Sequence, residues 1–177
     1  GQRFFQQKGL GLVADIYAKK TLRGLPGVKA IGHNRYSTAG GGDLHNVQPL
    51  SVNFAFGNLA LAHNGNLVNA GVIRRELEGR GAIFGSTSDS EVLLHLLARS
   101  RERHMEDRFI DAISRVKGAF SIILLTDDAL IAARDPVGIK PLYFGEKDGA
   151  IAFASEAKAL SGYFDSIPEF TAGPVLD

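Results

Sequence analysis

Phe56-Gly57-Asn58-Leu59-Ala60-Leu61-Ala62-His63-Asn64-Gly65-Asn66 is followed, two residues later, by Asn69-Ala70-Gly71-Val72-Ile73-Arg74-Arg75-Glu76-Leu77. Within the first stretch, Phe56 to Ala62 alternates well enough to be a strand, and the second stretch reads as a helix with an Asn at its start. Between them, Asn64-Gly65 predicts a tight turn in which backbone takes positive φ. Such a turn aims an Asn side-chain amide and a Gly backbone N–H outward, side by side. Two neutral donors converging on one point suit the oxyanion of an acyl-transfer reaction. Asn-Gly is also the commonest short hairpin signal, but a hairpin needs a second strand straight afterwards, and this segment turns helical.

Outward from that unit, strands and amphipathic helices follow one another without repeats or low-complexity linkers. Upstream, Phe4–Gln7 reads as a strand, Val13–Leu22 as a short helix ending at the turn cluster Gly24-Leu25-Pro26-Gly27, and Val28–Arg35 as a strand entering a Gly-rich loop, Tyr36 to Asp43. The strand at the centre is expected over Phe54–Ala62, and the helix after it over Ala70–Glu78. Ser88-Asp89-Ser90-Glu91 has the spacing of a capping box, and Val92, Leu93, Leu96 and Leu97 then form an apolar helical face. A helix over Glu106–Val116 ends at Gly118, and strands follow at Ala119–Thr126, Leu130–Arg134, Leu142–Gly145 and Ala150–Ala154, with a short helical turn at Glu156–Leu160. The short polar connections between these strands favour antiparallel pairing. The expected fold class is α+β, a four-layer αββα sandwich of two mainly antiparallel sheets with helices outside them, formed by residues 1–177 as a single domain.

Composition narrows the function classes. The 177 residues are 45% hydrophobic and 22% charged with a formal net charge of +1, which gives no electrostatic reason for a nucleic-acid partner. The Arg99–Arg103 cluster is interrupted by Glu102 and followed by Glu106, so it reads as a solvated helix end. The longest apolar run, Phe120 to Leu125 with Ser121 inside it, is far too short to span a bilayer, and residues 1–8 do not form a signal peptide. The chain has no cysteine and hence no disulfides, which suits a cytoplasmic location. His33, His45 and His63 lack the close spacing of a metal-ligand pair, so no metal is expected, and Gly40-Gly41-Gly42 lacks the Gly-Lys-Ser/Thr ending of a phosphate loop.

The remaining polar residues suggest a pocket. Arg35 stands beside Tyr36, Ser37 and Thr38 at a strand end, where its planar fork matches a carboxylate and a hydroxyl adds a donor. Asp89, near a helix start, would ordinarily complement the helix dipole; its other possible task is to bind an ammonium group. A cationic fork, an anion and an oxyanion hole together describe a site for a free amino acid whose side-chain carbonyl is attacked. Each of these residues has a plain structural alternative, an ion pair for Arg35 and a cap for Asp89.

His33-Asn34-Arg35-Tyr36-Ser37-Thr38-Ala39-Gly40, Asn46-Val47-Gln48-Pro49-Leu50, Ala62-His63-Asn64-Gly65-Asn66-Leu67, Ser88-Asp89-Ser90-Glu91 and Arg134-Asp135-Pro136-Val137-Gly138-Ile139-Lys140-Pro141-Leu142 together carry a family resemblance. In order and over nearly the whole chain, they resemble the glutamine amidotransferase half of the amidophosphoribosyltransferases, a class II domain of the N-terminal-nucleophile hydrolase fold. Relatives such as glucosamine-6-phosphate synthase share the Arg, the Asn-Gly pair and the Asp. They usually read Trp-Ala-Thr where this chain has Tyr36-Ser37-Thr38.

The resemblance implies that glutamine is hydrolysed to glutamate and ammonia here, and that a phosphoribosyltransferase domain, absent from this chain, uses the ammonia to make phosphoribosylamine from phosphoribosyl pyrophosphate. It implies Arg35 on the glutamine α-carboxylate with Thr38 nearby, Asp89 on the α-ammonium, Asn64 and Gly65 as the oxyanion hole, and Tyr36 in the wall that orders the site. No cofactor is implied in this domain, Mg2+ is implied in the absent one, and the parent enzyme is expected to be a homo-oligomer. The family's nucleophile is an N-terminal cysteine whose own amine, titrating near neutrality, takes the thiol proton. With no cysteine among the 177 residues, the chain is expected to lack the family's first strand and nucleophile and to have no glutaminase activity by itself. The alternative readings are a glutamine-binding module without turnover, or the glutaminase domain of another class II amidotransferase.

Overall fold

The computed structural model describes residues 3–35 and 44–171. Its frame is a four-stranded antiparallel sheet of β1 (Leu50–Phe54), β2 (Gly57–Leu67), β3 (Gly118–Thr126) and β4 (Leu130–Arg134), in that spatial order. A second antiparallel pair, β5 (Tyr143–Lys147) and β6 (Ala150–Ala154), forms the other sheet. Three amphipathic helices, α3 (Ala70–Glu78), α4 (Glu91–Arg99) and α5 (Met105–Arg115), follow two short ones, α1 (Val13–Ile16) and α2 (Lys19–Arg23).

The period-2 pattern of the strands decides what each face meets. From β2 and β3, Leu59, Leu61, Leu67, Phe120, Ile122 and Leu124 pack into the main core with Ile73 and Leu77 of α3, Leu93, Leu96 and Leu97 of α4, and Phe109 of α5. On the opposite face, Ile123 of β3 and Ala132 of β4 join Leu142, Phe144, Phe153 and Phe170 in a second cluster between the sheets. Phe170 meets Phe144 and Phe153 edge-on, at centroid distances of 6.3 and 5.9 Å. On the outer side of the β5–β6 pair, Phe164 lies so close to Gly145 that a Cβ there would fall 2.5 Å from its ring. The α+β class and the two antiparallel sheets agree with the expectation. Among the described residues, long helices cover only the four-stranded sheet.

Four local expectations give way. Val28–Arg35 and Phe4–Gln7 are not strands; side-chain hydrogen bonds tie them to their neighbours instead. Lys29 Nζ donates to the carbonyls of Asp127 and Asp128, and Gln6 exchanges hydrogen bonds with Pro49 O and Ser51. The single helix expected at Val13–Leu22 breaks at Tyr17-Ala18, where the Tyr17 hydroxyl donates to Gln7 O at 2.8 Å. The strand expected at Phe54–Ala62 is two strands, β1 and β2, joined by a hairpin that pairs Phe54 with Gly57.

Candidate functional site

Asn64-Gly65 is not a turn. β2 runs straight through it to Leu67, paired with β3 as Asn64↔Ser121, Gly65↔Phe120 and Asn66↔Ala119. Gly65 still has φ +153°, and a Cβ on it would sit 2.1 Å from Ala119 O and 2.8 Å from His63 Nε2. Close approach of β3, rather than chain reversal, is why only glycine fits.

The edge of β2 at this point is partly claimed. Phe120 donates its N–H to Asp135 Oδ2 at 3.2 Å, and its carbonyl accepts the Asp135 N–H at 2.8 Å, so its main-chain groups face β4. Its partner Gly65 therefore occupies a non-hydrogen-bonded position, with N–H and C=O facing away from β3. Two residues earlier on that same outward edge, His63 N–H donates to Gln48 Oε1 at 2.6 Å, and the His63 carbonyl accepts from Gln48 Nε2 at 3.2 Å. Two residues later, Leu67 N–H donates to Asp89 Oδ2 at 2.8 Å. Between these, no described residue takes the Gly65 N–H, and Gly65 is exposed.

This edge opens into a cavity of about 880 Å3. Its walls come from five places: Gly32–Arg35, Gln48, the end of β2, Ser88-Asp89 ahead of α4, and the segment from Phe153 to Ala159. Arg35, Asn64, Gly65 and Asp89, far apart in sequence, all line it. Tyr36 and Thr38 lie outside the described residues, as does Gly40-Gly41-Gly42. Asn64 Nδ2 donates to Ser155 Oγ at 3.3 Å, which turns the amide nitrogen toward the Phe153–Ala159 wall and leaves its second hydrogen for another acceptor.

Asp89 is not a helix cap, and the Ser88–Glu91 capping box does not form. Ser90 is the N-cap residue, so Glu91 falls at the first helical position and its carboxylate reaches back to the N–H groups of Gly85 and Ser86 at 2.7 and 2.8 Å. Asp89 instead ties α4 to β2. Beside it the Ser90 hydroxyl donates to Asp89 Oδ1 at 3.3 Å and lies 2.8 Å from Nδ1 of buried His63. Burial holds His63 below the usual histidine pKa, helped by His33 and Lys140, with Asp89 opposing; the ring is neutral near pH 7 and its Nε2 has no partner among the described residues. His33, also on the cavity wall, is lowered by burial and by the Arg35 cation.

The site gathers residues that the sequence reading did not single out. Gln48, Ser155, Glu156 and Lys158 line the cavity with the expected four. Gln48 stood only inside a family-like string, and nothing local distinguishes a Gln before Pro49 from an ordinary strand start. Among the described residues, no group of His, Asp and Glu is arranged to hold a metal ion, and no helix is long and apolar enough to cross a membrane.

Residues 33–162 match the family profile described as a glutamine amidotransferase domain. The amidophosphoribosyltransferase of Rhizobium etli is 52% identical over 161 residues, covering 90% of this chain and 32% of that protein. The chloroplastic amidophosphoribosyltransferase of Vigna aconitifolia is 51% identical over 158 residues, covering 89% and 32%. A solved structure of an allosteric regulatory enzyme of purine biosynthesis superposes with a TM-score of 0.84 at 44% identity, over 87% of this chain and 33% of the other. The chain thus spans about a third of the length of the relatives it matches.

Proposed function

This chain belongs to the glutamine amidotransferase domain family, and from that premise we propose that its cavity binds L-glutamine and that the chain is the glutaminase part of an amidophosphoribosyltransferase. The observation that supports this most is the meeting of Arg35, Asn64, Gly65 and Asp89 on one cavity wall system, with the Gly65 N–H on the strand edge unclaimed by any described residue. Arg35 takes the α-carboxylate, assisted by Thr38, and Asp89 the α-ammonium, with Tyr36 part of the wall. Those contacts fix both ends of the amino-acid head and direct the side-chain carboxamide toward Asn64 and Gly65. When a thiolate attacks the amide carbon, the carbonyl oxygen becomes an oxyanion, and the Asn64 Nδ2–H and Gly65 N–H stabilise it; ammonia then leaves, and water releases glutamate from the thioester.

The 177 residues contain no cysteine, so the thiol is not supplied from within them. Glutamine binding without turnover is therefore the reading for this chain on its own. The ammonia is used, in this proposal, to convert phosphoribosyl pyrophosphate to phosphoribosylamine on a phosphoribosyltransferase domain beyond these residues. That domain would carry Mg2+, and the whole enzyme would be a cytoplasmic homo-oligomer, although one of the relatives above carries a chloroplastic name. Calorimetric titration with L-glutamine tests the binding: saturable heat from the unsubstituted chain, lost on Arg35→Met, is expected. Equal binding by the Arg35→Met variant removes the carboxylate contact from the account.

A further inference from the structure

Gln48 occupies a place that backbone would normally fill. β1 pairs with β2 as Leu50↔Leu61, so the next position along that register sets residue 48 opposite His63. The chain does not continue β1 there. The Gln48 side-chain carboxamide instead gives His63 what a strand neighbour gives, an acceptor for its N–H at 2.6 Å and a donor to its carbonyl at 3.2 Å. Gln48 is buried, and its Nε2 also lies 3.4 Å from the hydroxyl of Ser90, the residue that contacts Asp89 and His63.

The consequence falls two residues further along β2. A backbone strand in this place would run on to pair with Gly65. A side chain ends where it ends, so the His63 main chain is satisfied and, among the described residues, nothing takes the Gly65 N–H at the cavity. Resting on the glutamine reading above, we propose that Gln48 is a positioning residue: its carboxamide terminates the pairing of β2 at His63, holds the edge rigid, and leaves the Gly65 N–H as the donor for the bound carboxamide. It touches no reacting atom itself.

The test uses the isotopically labelled 177-residue chain, by amide hydrogen exchange without ligand and by chemical-shift titration with L-glutamine. In the free chain the His63 amide is expected to be protected and the Gly65 amide to exchange quickly, and glutamine is expected to shift the Gly65 amide. Gln48→Met removes both hydrogen bonds at similar volume; it is expected to expose the His63 amide, abolish the Gly65 shift and weaken glutamine about tenfold, as loss of a buried hydrogen bond does. Gln48→Glu keeps an acceptor against the His63 N–H and is expected to keep the His63 amide protected and the Gly65 shift in place. The proposal is overturned by Gln48→Met that retains the Gly65 response, or by Gln48→Glu that loses it while His63 stays protected. A Gly65 amide already protected in the free unsubstituted chain overturns the role of Gln48 whatever binds, whereas glutamine that shifts no resonance overturns the glutamine reading.

Discussion

The Leu67 N–H donates to the Asp89 carboxylate at 2.8 Å, binding the last residue of β2 to the start of α4. One oxygen of Asp89 thus closes the fold at the mouth of the cavity, while the carboxylate still carries the charge proposed for an ammonium group. The two duties separate by mutation. Asp89→Asn keeps an acceptor for Leu67 but loses the charge, so its unfolding midpoint should change little while L-glutamine binding weakens about 10- to 100-fold, the range of a charge-assisted hydrogen bond. Glutaramate, which lacks the α-amine, should bind both forms alike. Equal losses for both ligands would mean that Asp89 only holds the strand.

Gly65→Ala should damage fold and site together. The added Cβ falls 2.1 Å from Ala119 O at a φ of +153° that L-residues rarely adopt. Denaturant unfolding should show a loss of about 1–3 kcal/mol or more, the scale of a strained backbone, with glutamine binding gone. Unchanged stability would show that β3 is free to move away.

The core prediction is sharper still. Leu93 on α4 is fully buried among β2, β3 and α5 side chains. Leu93→Ala should destabilise by about 2–5 kcal/mol in the same assay.

Stability should fall on mild acidification. His63, His33 and His95 all have pKa values lowered from 6.5, in each case mainly by burial. The unfolded chain binds protons on these groups before the folded one does, so stability is intact above about pH 6.5 and is lost as pH falls below it. Asp135 adds a second loss at lower pH. Burial alone would raise its pKa, but N–H groups of Ile139, Lys140, Phe120 and Val137 hold it below 3.8. Thermal midpoints measured from about pH 8 down to pH 5 should be level and then decline; a midpoint that rises on acidification contradicts the burial of these rings.

What was readable beforehand follows from how local each signal is. The helix Ala70–Glu78 and the strands Leu130–Arg134 and Ala150–Ala154 stand at their expected bounds, because their apolar period and flanking turn residues lie within the segment itself. Arg35, Asn64, Gly65 and Asp89 were likewise nameable from residue chemistry, and they share one cavity. Asn64-Gly65 signals a need for glycine but not its source: a turn and a close strand crossing demand the same residue, and only β3 in place distinguishes them. Gln48 was illegible for a deeper reason. Its role exists only in the register between β1 and β2, which no local pattern encodes.

The central claim is that the cavity at the end of β2 receives L-glutamine with its head on Arg35 and Asp89 and its carboxamide oxygen on Asn64 and Gly65. A crystal structure of the chain with L-glutamine tests it most directly. The account predicts the ligand in this cavity, its carboxamide oxygen about 3 Å from both Asn64 Nδ2 and the Gly65 nitrogen, and its α-carboxylate on Arg35. Glutamine seated elsewhere, or reversed with its α-carboxylate at Gly65, would contradict it.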